Sequence, residues 1–208
     1  MEVGAITDAL KLLGYDGWMM GVKPVNPDFK IYGRAFTMQY GLLPSVEAVT
    51  SFNYYLLLNE IAQGDVIVLA TNNCQMAILG ENMQHASKMM KAAGVVLDGK
   101  NRDTGVIRSY DQPVFSSGQE VKFMPGNFKI TSYQVPVVCG GIEVRPGDYI
   151  IGDIDGVIVI PIGIIDEVLF QAERITEIEE QMDKAIESGL PMSECVKIIG
   201  QKGKKREH

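Results

Sequence analysis

Positive charge is the first shortage in this 208-residue chain: 19 Lys and Arg stand against 26 Asp and Glu, a formal net charge of −7. A protein that grips nucleic acid needs clustered cations to neutralise phosphates, so this balance argues against a nucleic-acid partner. Only three cysteines occur, Cys74, Cys139 and Cys195, far apart and without a C-x-x-C pair. That removes a zinc knuckle or redox dithiol and predicts reduced thiols that mostly pack. Histidine is scarcer still, with His85 and the terminal His208 alone, too little for a His-based zinc centre or a serine–histidine triad. No apolar run approaches the roughly 18 residues that a membrane-spanning helix requires. The opening MEVGAITDALKLLG has no basic stretch leading into an apolar one, so the expectation is a cytoplasmic protein with no membrane partner. The glycine turns VCGG and SSGQ fit neither phosphate-binding loop pattern, which leaves nucleotide binding without support.

What the chain does have is apolar material: 46% of residues are hydrophobic and 22% charged, enough to bury a core as one globular α/β domain. The expected domain runs over residues 1–190, with 191–208 a partly frayed extension. Val3, Ile6, Leu10 and Leu13 lie on one helical stripe that Gly14 ends. Residues 34–40 alternate as a strand. Ser45 offers an N-cap to a helix carrying Val46, Val49, Tyr54, Leu57, Leu58 and Ile61 as far as Gly64. DVIVLA and GVVLDG read as buried strands on either side of a helix with Met83, Ala86, Met90 and Ala93 on its apolar face, stopped by Gly94. Strand, helix, strand is a βαβ unit with a right-handed crossover between parallel strands. The methionines Met83, Met89 and Met90 read as core packing. PVFSSG, VKFM, FKITSYQVPVVCGGIEV and DYIIGDIDGVIVIP then predict antiparallel or mixed sheet. Ile164 or Ile165, Val168, Ala172, Ile175, Met182 and Ile186 trace a long, charged C-terminal helix ending near Gly189.

Ligands of open α/β sheets bind at the carboxyl ends of strands, which here means the loops NNCQMAILGE and DGKNRD. The crossover brings both to one sheet edge, gathering Glu81, Asp98, Arg102 and Asp103. Carboxylates beside an arginine and a free helix N-terminus suit an anionic, metal-chelating substrate, with Mg²⁺ or Mn²⁺ keeping several waters. The planar Arg102 cation offsets the charge of an enolate. Bland readings stand beside this one. Arg102 and Asp103 spaced as neighbours are more often a surface ion pair, Glu81 suits the first helical turn through the macrodipole alone, and Asp98 before Gly99 suits an Asx turn. His85, four residues after Glu81, shares its helix face and so offers a second metal donor. Asp153 and Asp155 read as hairpin-turn residues.

LGE at 79–81, GVVLDGKNRD at 94–103, PVFSSG at 113–118 and VRPGDYIIGDIDGVIVIP at 144–161, in that order, resemble the RraA-like family. That family includes class II 4-hydroxy-4-methyl-2-oxoglutarate aldolases. The resemblance implies a β/β/α layered, swivelling-domain-like core with a βαβ unit and a long C-terminal helix, assembled as a homotrimer or hexamer. It also implies a divalent-metal-dependent carbon–carbon lyase, an aldolase and oxaloacetate decarboxylase, that releases pyruvate from a 2-keto acid substrate through a metal-bound enolate. The family's acid, twenty residues, then Arg-Asp carries over as Glu81, Arg102 and Asp103. Asp103 would bind Mg²⁺ or Mn²⁺, Arg102 would hold the keto acid, and Glu81 would act on metal-bound water. Backbone amides across Leu79, Gly80, Glu81 and Asn82 would grip the substrate carboxylate. The acid is usually Asp in those aldolases, and Glu81 is one methylene longer. They also borrow an acid from a neighbour's C-terminal helix, where Glu173, Glu177, Glu179 and Glu180 are the candidates here. The alternative the family offers is a non-catalytic regulator that binds a ribonuclease, for which the acidic surface suits a basic partner.

Overall fold

The computed structural model describes residues 2–45 and 51–205. The chain divides into two compact units, Met1–Gly17 with Gly163–His208, and Trp18–Ile162. Helix α1 (Val3–Leu13) opens the first. Its stripe of Val3, Ile6 and Leu10 is buried as its spacing predicts, and Gly14 takes φ 88° to end it.

The unit Trp18–Ile162 is built on an eight-stranded mixed sheet. Its first two strands along the chain are β1 (Lys23–Pro24) and the twelve-residue β2 (Ile31–Leu42). Helix α2 (Tyr54–Leu57) follows and runs on as a 3-10 turn over Leu58–Glu60. The Asn53 side chain caps it by accepting from the Tyr55 and Leu56 N–H groups, so this helix starts at Asn53 rather than Ser45; Val46 and Val49 lie outside the described residues. β3 (Val66–Ala70) is buried at every position. β4 (Ala77–Leu79) leads into α3 (Glu81–Met89), and β5 (Gly94–Leu97) and β6 (Lys100–Asn101) come next. Helix α4 (Thr104–Ser109) precedes β7 (Val114–Ser116), β8 (Phe128–Tyr133), β9 (Val137–Cys139), β10 (Ile142–Val144), β11 (Tyr149–Asp153) and β12 (Gly156–Ile160).

The sheet order is β1-β7-β5-β3-β2-β11-β12, with β8 also on β2. β2, β3, β5 and β7 are mutually parallel, as the βαβ reading requires, and their near-continuous apolar runs fit strands covered on both faces. β11, β12, β8 and β1 are antiparallel to their neighbours, which makes the second half the mixed sheet expected. VKFM is the exception: Phe123 makes one isolated bridge there, to Ala77. Gly94 also has a different job from the one its position suggested. The helix ends at Met90, with Lys91 at φ 61°, and Gly94 opens β5 because a Cβ there would stand 2.6 Å from Ile31 Cδ1 and from the Pro113 carbonyl. Met83 packs against the core, whereas Met89 and Met90 are exposed, correcting their assignment to it.

Because Leu69 of β3 lies level with Leu97 of β5, Thr71 and Asp98 leave the sheet side by side. The buried Asp98 carboxylate accepts from the Thr71 N–H (2.6 Å), Thr71 Oγ1 (2.7 Å) and the Asn73 N–H (3.2 Å). Beyond this clamp, β4 and β6 pair in parallel, which zips the two loops together.

In the other unit, α5 (Ile165–Glu187) buries Val168, Ala172, Ile175 and Ile178, while Ile186 is exposed. α6 (Met192–Ile199) and a 3-10 turn over Gly200–Gly203 follow, so the segment expected to be partly frayed is helical across these residues. Lys202 ties them to Asp8 and Glu179. No helix among the described residues is long and apolar enough to cross a membrane.

Candidate active site

The β4–β6 ladder puts the start of α3 beside the start of α4. The Arg102 N–H donates to the Leu79 carbonyl at 2.9 Å. Asn101 is fixed by its own side chain, which accepts from Ser116 Oγ at 2.8 Å and donates to Thr104 Oγ1 at 2.9 Å. Asp103 then turns the chain in the left-handed region, φ 56° and ψ 32°, a conformation that Asp tolerates better than most residues. Its carbonyl accepts from the Val106 and Ile107 N–H groups and so begins α4, but its carboxylate does not cap that helix. Instead Oδ2 accepts the Glu81 N–H at 3.2 Å, at the N-terminus of α3, where the helix dipole favours an anion.

Arg102 Nε stands 3.5 Å from the same Oδ2. Both side chains are substantially exposed, so the pair adds little to stability; its consequence is orientation. Gly80 makes the approach possible, since a Cβ there would meet Asp103 Oδ2 at 2.7 Å. The Arg102 guanidinium lies over the Phe123 ring, 4.9 Å from its centroid, a favourable cation–π placement. The segment carrying Phe123 is held down by bonds from Glu120 N–H to the Asn101 carbonyl (3.0 Å) and from Ala77 N–H to the Lys122 carbonyl (2.8 Å).

Gly80, Asn82, Arg102, Asp103 and Phe123 line a cleft of about 460 Å³, whose lining also includes Tyr40, Phe52, Tyr54, Tyr55 and Phe128. Burial pushes the Tyr40 and Tyr54 phenols well above their ordinary pKa. The Tyr54 hydroxyl shares a 2.5 Å hydrogen bond with Ser87 Oγ.

Leu79, Gly80, Glu81, Asn82, Arg102 and Asp103 are therefore gathered in one place, though not in equivalent positions. Gly80, Asn82, Arg102 and Asp103 line the cleft. Leu79 is fully buried in β4 and contributes its carbonyl, and the Glu81 N–H is already given to Asp103. Asp98 is spent on the Thr71 turn. His85 packs its ring beside Tyr110, centroids 5.6 Å apart. Asp153 Oδ1 accepts the Asp155 N–H at 2.9 Å, closing the β11–β12 hairpin. Glu173, Glu177, Glu179 and Glu180 lie on α5, with Glu179 tied to Lys202. Phe123 and the aromatic wall were missed by sequence reasoning; the only signals were aromatics beside turn residues, in SFNYY and FMPGNF.

No group of three or more His, Cys, Asp or Glu among the described residues is placed to hold a metal ion. Mg²⁺ or Mn²⁺ needs only one or two protein carboxylates and fills its remaining positions with water and substrate oxygens. Asp103 is the available carboxylate, with Glu81 next to it at the head of α3.

A mixed α/β fold with an Arg-Asp pair set against a helix N-terminus defines a recognisable class. The model of the RraA-like family (Aldolase/RraA) matches residues 3–159, and this chain belongs to that family. A Halalkalibacterium halodurans protein named "Putative 4-hydroxy-4-methyl-2-oxoglutarate aldolase" is 32% identical over 186 residues, covering 89% of this chain and 84% of its own. Protein DlpA of Legionella pneumophila is 32% identical over 194 residues, 91% of this chain; the chain spans only 31% of DlpA's length. Among solved structures, Streptomyces coelicolor RraAS2, described as an unusual member of the RNase ES inhibitor RraA protein family, superposes with a TM-score of 0.81 at 25% identity, covering 88% of this chain and 93% of its own.

Proposed function

We propose that this chain is a divalent-metal-dependent carbon–carbon lyase that cleaves 4-hydroxy-2-oxo acids of the 4-hydroxy-4-methyl-2-oxoglutarate type to pyruvate and decarboxylates oxaloacetate. The observation that carries the reading is the convergence of Arg102 and Asp103 on the N-terminus of α3 in the lining of a cleft. The aldolase name of the Halalkalibacterium relative supports it. In cleavage the C3–C4 bond breaks, its electron pair passes to C3 and the keto group, and the C4 hydroxyl becomes a carbonyl as it loses its proton. A proton delivered to C3 completes pyruvate. Arg102, placed over the Phe123 ring, presents its donors to the substrate carboxylate and the oxygen on which charge develops. Asp103 would hold Mg²⁺ or Mn²⁺, which would supply Lewis acidity to the bound keto acid. Glu81 handles the proton at C3 through water, and the head of α3 receives the carboxylate with N–H groups other than that of Glu81, which Asp103 holds.

The assembly belonging to this reading is a homotrimer or hexamer in which an α5 acid of one subunit completes the site of its neighbour. Arg102→Ala and Asp103→Ala should each abolish pyruvate release while circular dichroism and the urea midpoint stay unchanged. Near wild-type turnover by either variant would refute the assigned roles. A second reading, a protein-binding regulator of ribonuclease activity, is favoured by the description of the Streptomyces neighbour. Capture of a ribonuclease by a chain that binds neither Mg²⁺ nor Mn²⁺ would put it first.

A further inference from the structure

An aspartate at the N-cap of a helix ordinarily lies in the β region and turns its carboxylate onto the N–H groups of its own helix, two or three residues on. Asp103 stands at that position before α4 and does neither. Its backbone is left-handed and its side chain makes no cap. Oδ2 accepts the Glu81 N–H of α3 instead, at 3.2 Å. The N–H groups a capping carboxylate would take belong to Gly105 and Val106. A second conformation with less backbone strain is therefore close at hand, and something must hold Asp103 out of it.

Asn101 is placed to do so. It is buried, at 1% exposure, and its main chain is anchored on both sides. Its N–H donates to the Gly118 carbonyl at 2.9 Å, and its carbonyl accepts the Glu120 N–H at 3.0 Å. Oδ1 accepts from Ser116 Oγ at 2.8 Å, which orients the carboxamide. Nδ2 then donates forward along the chain, past Asp103, to Thr104 Oγ1 at 2.9 Å and to the Arg102 carbonyl at 3.4 Å. The bond to Thr104 closes a ring that contains Arg102 and Asp103. Turning Asp103 from φ 56° to a negative φ re-aims Thr104 relative to Asn101 and opens that ring. The two acceptors require a donor at this position, which an amide nitrogen supplies.

We infer that Asn101 is a positioning residue: its bond to Thr104 keeps Asp103 left-handed, so that the Asp103 carboxylate faces Glu81 and Arg102 and does not cap α4. The consequence for metal binding rests on the function proposed above, in which Asp103 would hold the ion. The conformational claim stands apart from that reading.

Three variants of the full chain test it. Asn101→Leu removes the carboxamide, Thr104→Val removes only the acceptor of its bond at nearly constant shape, and Thr104→Ser keeps the hydroxyl. Two quantities are read: the φ of Asp103 in crystal structures of the variants, and the Mn²⁺ Kd from the electron paramagnetic resonance signal of the free ion. In Asn101→Leu and Thr104→Val, Asp103 should take a negative φ with its carboxylate on the Gly105 or Val106 N–H, and the Mn²⁺ Kd should rise about tenfold. Thr104→Ser should match the parent in both. Thr104→Val decides the matter alone if Asn101→Leu does not fold. Asp103 still left-handed in Thr104→Val, with Oδ2 on the Glu81 N–H, overturns the inference whatever the metal does, and so does the same turn of Asp103 in Thr104→Ser. Asp103 turned onto α4 with Mn²⁺ affinity unchanged, or with no Mn²⁺ bound even by the parent, keeps the role of Asn101 and takes the metal away from Asp103 in the function proposed above.

Discussion

Asp103 Oδ2 occupies the space that a side chain on Gly80 would fill, since a Cβ on Gly80 would stand 2.7 Å from that oxygen. The Gly80 backbone itself is ordinary, at φ −127° and ψ 178°, so the glycine is required by the carboxylate's approach and not by its own conformation. Gly80→Ala should therefore displace Asp103 and lower kcat/KM by about 10- to 100-fold while leaving the urea unfolding midpoint within error of the parent. Unchanged steady-state kinetics would show that the carboxylate has no role in turnover.

Arg102 stands beside Asp103 through Nε and has its guanidinium carbon over the Phe123 ring, and a lysine offers neither the fork nor the plane. Arg102→Lys should cost turnover nearly as much as Arg102→Ala. Phe123→Ala, which removes only the support beneath the guanidinium, should cost a few-fold, about the scale of one exposed cation–π contact. Steady-state pyruvate release from the three variants gives the ranking, and a Lys variant with near-parental kcat/KM would reduce Arg102 to a point charge.

Asp98 stabilises the fold, by contrast, because its buried carboxylate satisfies three donors of the Thr71–Asn73 turn. Asp98→Ala leaves those donors without acceptors and should lower the unfolding free energy by about 3 kcal/mol, read from urea titration. A loss under about 1 kcal/mol would mean that water replaces the clamp.

Tyr40 and Tyr54 should resist ionisation. Burial raises both phenols, while the Ser87 hydrogen bond opposes this in part for Tyr54. Above the ordinary phenol pKa near 10 the folded state holds protons that the unfolded chain has released, so stability falls as pH rises past that point. A spectrophotometric titration of the eight tyrosines should show two that ionise only with unfolding. Reversible titration of all eight in the folded protein would contradict the burial of these two.

Local patterns were legible wherever one face or one short run decides the structure. The Val3–Ile6–Leu10 stripe, the Gly14 stop and the runs of β3 and β5 follow from periodicity and turn chemistry. Position relative to distant chain was not. Gly94 resembles a helix stop until Ile31 and Pro113 are packed on it, and it is the Asn53 side chain that accepts the Tyr55 and Leu56 N–H groups to cap α2. The neighbouring Arg102 and Asp103 suggested a surface ion pair by spacing alone, and the family resemblance favoured the active-site reading; the crossover already placed the Glu81 loop at their sheet edge, where the β4–β6 ladder does bring it. The aromatic wall was invisible because Tyr40, Phe52, Tyr55 and Phe128 come from segments that only the β2–β8 pairing and the Phe52–Ile130 bridge bring together.

The central claim is most directly tested by pyruvate release, coupled to lactate dehydrogenase, from 4-hydroxy-4-methyl-2-oxoglutarate and from oxaloacetate with Mg²⁺, with Mn²⁺ and with EDTA. The account predicts turnover with either ion that EDTA removes and added metal restores. Turnover indifferent to EDTA, or no release from either substrate with Mn²⁺ demonstrably bound, would contradict it.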